Sequence, residues 1–217
     1  MLLVVGLAIA KLYVLRYGSP LWALVDEPGE RFSEADDAAG EVLENPLEVE
    51  ALIHEKPLEH WLGSIEDSLR RCRPDVLRRA QLRPPATTEA LEQLAGELGH
   101  PLPPELLTLL RWHDGQQGRN SLAGSDYDYL DSLLLGTADI AATLQRLRGL
   151  PKYERTPLVP IMKSVEHSYF IAMDSVDPGV QCEVSLDRDA GKDPCLVDSL
   201  QQRFGVLALD LAKSCSP

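Results

Sequence analysis

Two hydrophobic periodicities divide this chain, and their order leaves few architectures open. From Leu58 the apolar residues Leu58, Leu62, Ile65, Leu69 and Cys72 recur at alternating spacings of four and three, which places them on one helix face. Pro74 stops that helix. A second helix is predicted from the Thr87-Thr88 cap, with Glu89 and Glu92 near its positive end, the stripe Leu91, Leu94 and Leu98, and Gly99 as its stop. After Pro103-Pro104 a third helix runs from Glu105 to Trp112, with Leu106, Leu107 and Leu110 as its buried side. Leu133 to Leu135 reads as a short buried strand, and Thr137 caps a helix carrying Ile140, Leu144 and Leu147. Beyond it the period changes to that of strands. Leu158–Met162 and Tyr169–Met173 are compact apolar runs, and Val180, Cys182, Val184 and Leu186 alternate with polar residues. Ser199 with Gln202 then announces a closing helix bearing Leu200, Phe204, Leu207 and Leu211. The expectation is an α+β fold: N-terminal helices, a central and mostly antiparallel sheet, and a C-terminal helix.

Charge separates this body from what precedes it. The chain carries 34 acidic against 21 basic side chains, a formal charge of −13, which disfavours direct binding of nucleic acid and favours a basic protein as partner. Residues 26–50 hold ten carboxylates against Arg31 alone and contain Pro28, Gly29, Gly40 and Pro46, so they read as a solvated acidic connector in which a long helix is broken. Residues 51–217 form the main domain. Residues 1–25 are apolar, with Lys11 and Arg16 as their only charges. They support two readings: a segment packed on the domain around the Gly18-Ser19-Pro20 turn, or a short membrane anchor with its basic residues on the C-terminal side. Both leave the main domain cytoplasmic, with inner-membrane association through the first segment on the anchor reading.

The four cysteines, Cys72, Cys182, Cys195 and Cys215, show no Cys-x-x-Cys spacing. Cys182 and Cys195 could meet across a hairpin, but reduced and buried thiols in a reducing compartment are the expectation. His54 and His60 lie far from any cysteine, so no metal and no cofactor is expected.

The stretch Ala86–Gly115 reads ATTEALEQLAGELGHPLPPELLTLLRWHDG, and its word order resembles the SUKH superfamily, whose founding member is a yeast regulator of cell-wall assembly. That family begins with a helix ending in Leu-Gly, continues with a Leu-Pro opening to the next helix, and closes on an aromatic or apolar residue followed by Asn-Gly or Asp-Gly. Here those words are Leu98-Gly99, Leu102-Pro103 and Trp112-His113-Asp114-Gly115. Tyr153 and Thr156–Pro160 depart from the pattern, lacking the tryptophan common in the family, and Val165–Ser168 lacks its glycines. The resemblance implies a binding protein of the immunity type, which neutralises a toxin used in conflict between cells, nucleases being frequent among such toxins. The alternative it implies is a regulatory scaffold acting on the cell's own envelope or signalling proteins.

Three clusters invite a chemical reading. His113-Asp114 offers a base beside a carboxylate, but Asp114-Gly115 directly after an amphipathic helix fits a helix stop, and no catalytic residue is assigned. Asp187, Asp189 and Asp193 around Gly191 imitate a calcium loop with the glycine misplaced, which favours a polar hairpin turn. Asp126, Tyr127, Asp128, Tyr129 and Asp131 combine three carboxylates with two tyrosines in one loop, the composition of a surface that meets a cationic partner, and they are the candidate partner-binding residues.

Overall fold

The computed structural model describes residues 46–118, 121–122, 132–151, 153, 157–164, 169–186, 195–197 and 199–215. The chain divides into two compact units, Met1–Glu55 and Lys56–Pro217. In the first, Pro46–Glu55 forms helix α1, with Glu48 in its first turn and His54 in its last. Pro46 therefore opens a helix instead of breaking one, because a proline at the first helical position gives up no intrahelical bond.

The second unit is α+β, as its periodicities predict. Leu58–Cys72 is α2, whose Leu58, Leu62, Ile65 and Leu69 are buried with Trp61. Pro74 does end it, but the same residue starts a further helix, α3 (Pro74–Ala80), which no apolar stripe announced. In α4 (Thr88–Leu98) the Thr87 hydroxyl accepts from the Ala90 N–H at 3.2 Å, and Gly99 ends the helix at φ +81°. In α5 (Pro104–Trp112) the buried side is Leu106, Leu109 and Leu110. Leu107, expected there, is only half-buried, which rotates the buried stripe toward Leu109.

Ser132–Leu134 is strand β1, and α6 follows as Thr137–Arg148. Strands β2 (Leu158–Ser164), β3 (Tyr169–Asp174), β4 (Val180–Ser185) and β5 (Cys195–Val197) complete a five-stranded sheet in the order β1-β2-β3-β4-β5. Every neighbouring pair is antiparallel, so the sheet is a meander. Pro160 sits in β2 without breaking the ladder. The β3 register shifts between Pro160 and Met162, so the proline lies beside a bulge, a position at which a residue without an N–H is tolerated. Strand β5 has only three residues, too few to show a period of its own.

Helix α7 (Leu200–Ser214) returns along α2, the most extensively packed helix pair of the unit. Its Ser199 cap accepts from the Gln202 N–H at 3.1 Å, as the capping pattern predicts. Leu200, Phe204, Leu207 and Leu211 are buried, and α6 lies on β2, so helices and sheet share a core that includes Ile140, Ile161, Met173 and Val184.

The cysteines depart most from expectation. Cys72, placed by periodicity on the buried face of α2, is exposed and bonded to Cys215, with 5.5 Å between the Cα atoms. Cys182 is also in a disulfide, and Cys195 stands directly opposite it in the β4–β5 register. No described cysteine is free. The expectation of reduced thiols is thus overturned: the helix period gives the direction of Cys72 only to within a fraction of a turn, and it carries no information about a residue 143 positions away.

Candidate functional site

The block Ala86–Gly115 comes together with distant residues at a junction of three backbone segments. The Arg83 N–H donates to the Gly115 carbonyl and the Asp114 N–H to the Pro84 carbonyl, both at 3.0 Å. A bridge joins Leu82 to Gln116, whose N–H donates to the Leu134 carbonyl at 3.1 Å and whose side-chain oxygen accepts from the Leu134 N–H at 3.2 Å. The turn after α5 is thereby stitched to the extended chain before α4 and to β1.

Asp114 completes the stitching. Its carboxylate accepts the Thr137 N–H at 2.6 Å and the Thr137 hydroxyl at 3.2 Å, so it caps α6 from 23 residues away. Thr137, expected as the cap, is the first helical residue, and Gly136 holds the cap position without a side chain to offer. A carboxylate there also faces the positive end of the helix dipole. Arg83 Nη1 donates to Asp139 Oδ2 at 2.6 Å and reaches the Asp114 carbonyl at 3.4 Å.

The role expected for Gly115 changes accordingly. Helix α5 ends on His113 in an extended conformation, so the glycine is not its stop. Gly115 stands at φ +72°, and a Cβ there would press into the backbone of Leu135 and Gly136. A Cβ on Gly136 would in turn meet the Asp114 carbonyl group and Arg83. The Asp-Gly word is thus the close approach of two chain segments, with the carboxylate locking it.

His113 serves a different partner from its neighbour. Its Nδ1 lies 2.6 Å from the Arg83 carbonyl; a carbonyl only accepts, so Nδ1 bears the proton. Nε2 faces Glu66 Oε2 at 3.6 Å, beyond hydrogen-bond range. Glu66 accepts the Trp112 indole N–H at 3.2 Å and an Arg70 N–H at 2.7 Å. His113 is oriented toward α2 and Asp114 toward α6, so the adjacent pair does not form an oriented acid–base dyad. The signals for Arg83, Asp139 and Glu66 were absent from the sequence because their partners lie 31, 56 and 46 residues away.

The remaining family-like residues sit along the same path. Leu98 is the last residue of α4, Gly99 ends that helix, Pro103 is buried at the start of α5, and Leu102 is half-buried before it. Leu98 also lines a cavity of about 280 Å³ with His100, Leu147, Arg148, Tyr153 and Ser175. Most of its polar groups are engaged: Arg148 donates to the Glu97 carbonyl at 2.9 Å, and the Tyr153 hydroxyl accepts from the Ser185 N–H at 3.0 Å. Among the described residues the Ser175 hydroxyl has no partner.

The candidate partner-binding residues Asp126, Tyr127, Asp128, Tyr129 and Asp131, like the aspartates of 187–193, lie outside the described residues. Among the described residues no group of three or more His, Cys, Asp or Glu could hold a metal ion, and no helix is long and apolar enough to cross a membrane. No protein-family model matches this chain, and no curated protein matches it.

Proposed function

We propose that the chain is a SUKH-type binding protein that neutralises a cognate basic toxin by stoichiometric occlusion, without turnover. The observation that carries this reading is the Asp114–Gly115 junction. The residues that resemble the family block hold segments of the fold together, and the one histidine–carboxylate neighbour pair among them is divided between two structural duties. With those residues committed to architecture, this reading places the chain's action on its surface. The formal charge of −13 supports a cationic partner, because an acidic surface speeds encounter with it and repels anionic competitors. In this mechanism the carboxylates and tyrosines of 126–131 meet the partner's cationic groove, with residues 1–25 as a tether on the membrane-anchor reading.

Affinity capture of the full chain from its own cells, followed by reconstitution with each co-purifying protein, tests the proposal. The expected result is a one-to-one complex with a basic protein whose toxicity the chain abolishes at equal molar ratio. Recovery of envelope or signalling proteins alone, none of them toxic, would overturn it in favour of the regulatory scaffold.

A further inference from the structure

We infer that both cysteine pairs are oxidised in the working protein, and that the domain therefore meets its partner in an oxidising compartment, across a membrane from the cytosol.

The first support is where the thiols stand. Cys72 closes α2 and Cys215 caps the end of α7, and their Cα separation of 5.5 Å lies inside the range a disulfide spans without backbone movement. Cys72 is exposed and Cys215 half-buried. An unpaired cysteine is ordinarily among the most buried residues, retained as a small hydrophobe, and this position gives it no such role.

The second support is completeness. The chain has four cysteines, and the second pair is of a different kind: Cys182 is disulfide-bonded, and Cys195 faces it across adjacent antiparallel strands. The Cys72–Cys215 pair joins two helices far apart in sequence, whereas Cys182 and Cys195 are opposite in the register of two neighbouring strands, so no shared local motif accounts for both. A fold that leaves no odd cysteine and uses both helix ends and a sheet edge has the pattern of extracytoplasmic domains, whereas cytosolic thiols are kept reduced.

The third support is the packing of the two helices that carry the thiols. Helices α2 and α7 pack along each other, and Ile65 and Leu69 of the one and Leu207 and Leu211 of the other are buried, so the apolar packing of the pair favours the approach of Cys72 to Cys215 independently of the bond. Whether the bond closes then depends on the oxidant. A Cys72 or Cys215 thiolate attacks the disulfide of a thiol–disulfide oxidant, forming a mixed disulfide and releasing one oxidant thiol. The second cysteine displaces the other oxidant sulfur, which leaves as a thiol. Two electrons and two protons pass from the cysteine pair to the oxidant, and one S–S bond is made for one broken.

This inference removes the premise of unpaired thiols behind a reducing compartment. It also opposes the orientation that Lys11 and Arg16 favour on the membrane-anchor reading of residues 1–25; on the packed reading those two charges have no bearing. Resting on the binding reading above, it makes the partner a cationic protein encountered outside the cytosol.

The test is thiol trapping in the chain's own cells. Living cells are quenched in acid, the full-length protein is denatured, and free thiols are labelled with a maleimide before and after reduction. The expected result is no label before reduction and labels on all four cysteines after, with Cys72–Cys215 and Cys182–Cys195 peptides recovered as linked pairs. Cys72→Ser should expose one thiol, at Cys215, before reduction. Any of the four cysteines found free in most wild-type molecules overturns the inference. A carboxy-terminal fusion to a phosphatase that is active only where its own disulfides form supplies a readout independent of that variant's folding. Activity supports the inference, and an inactive fusion at equal abundance overturns it even if the cysteines are paired. Neither readout depends on whether a toxin is captured, so this inference and the proposed function fail separately.

Discussion

Asp114 illustrates how one side chain can organise a junction that its neighbours in sequence do not reveal. Its carboxylate takes both donors of Thr137, one of them the N–H at the exposed start of α6. Asp114→Ala should destabilise the domain by about 1–2 kcal/mol, the usual cost of a lost helix cap, read as a lowered urea midpoint with an unchanged m-value. Gly115→Ala should cost more, because a Cβ must be accommodated at positive φ against the Gly136 backbone. Equal losses for the two variants would show that the glycine's close approach matters no more than the cap. Glu89, in the first turn of α4, is held below the ordinary carboxylate value of 4.5 chiefly by the hydrogen bond to its own backbone N–H and secondarily by the Thr87 hydroxyl. A folded pKa below the unfolded one means that the ionised group's contribution is fully present above 4.5 and is lost as pH falls through the depressed folded value. Glu89→Gln should therefore reduce stability at neutral pH and converge with the parent in acid. A difference that persists at the lowest pH would assign the effect to packing.

At the scale of elements, the helices were more legible than the sheet edges. Helices α2, α4, α5 and α7 carry three or more apolar residues at helical spacing, and α4 and α7 also carry a cap within three residues of their start, so local chemistry suffices for them. Helix α3 and strand β5 have seven and three residues. At those lengths no period can be counted, and their existence depends on what lies beside them: β4 for β5, and the Arg73 turn that starts α3 for the other. The helix pair α2–α7 also carries the Cys72–Cys215 closure, which spans 143 positions. Replacing Cys72 and Cys215 together with serine should lower stability by about 2–4 kcal/mol, because the unfolded chain regains the entropy of a long loop. Thermal or urea unfolding with and without reductant checks this: reductant should lower the parent's stability, and a parent indifferent to it would show that packing alone holds the two helices.

For the whole molecule, the charge balance bears on how it finds a partner rather than on how it folds. If the loop at 126–131 meets a cationic groove, replacing Asp126, Asp128 and Asp131 together with Asn should slow association and flatten its salt dependence, with a smaller effect on dissociation. Stopped-flow association at low and high ionic strength measures this, and an unchanged rate at low salt would remove the loop from the interface. The oxidised domain adds a second condition on the encounter, since it sets the compartment in which those charges operate.

The helices and strands of the α+β order and the caps at Thr87 and Ser199 were readable in the chain because each depends on residues within about four positions of one another, and the antiparallel sheet follows from successive strands pairing in chain order. The helix stop at Gly99 was readable for the same reason. The duties of Asp114, Gly115, His113 and Cys72 were not, and the local pattern points instead to a helix stop at Gly115 and a core thiol at Cys72. Each is decided by a partner that the fold delivers from far along the chain: Thr137, Gly136, Arg83 and Cys215, the last from 143 residues away. Spacing describes which way a side chain leaves its own helix or strand. What it meets there follows from how the elements pack, and that is where a cap, a close approach and a disulfide acquire their meaning.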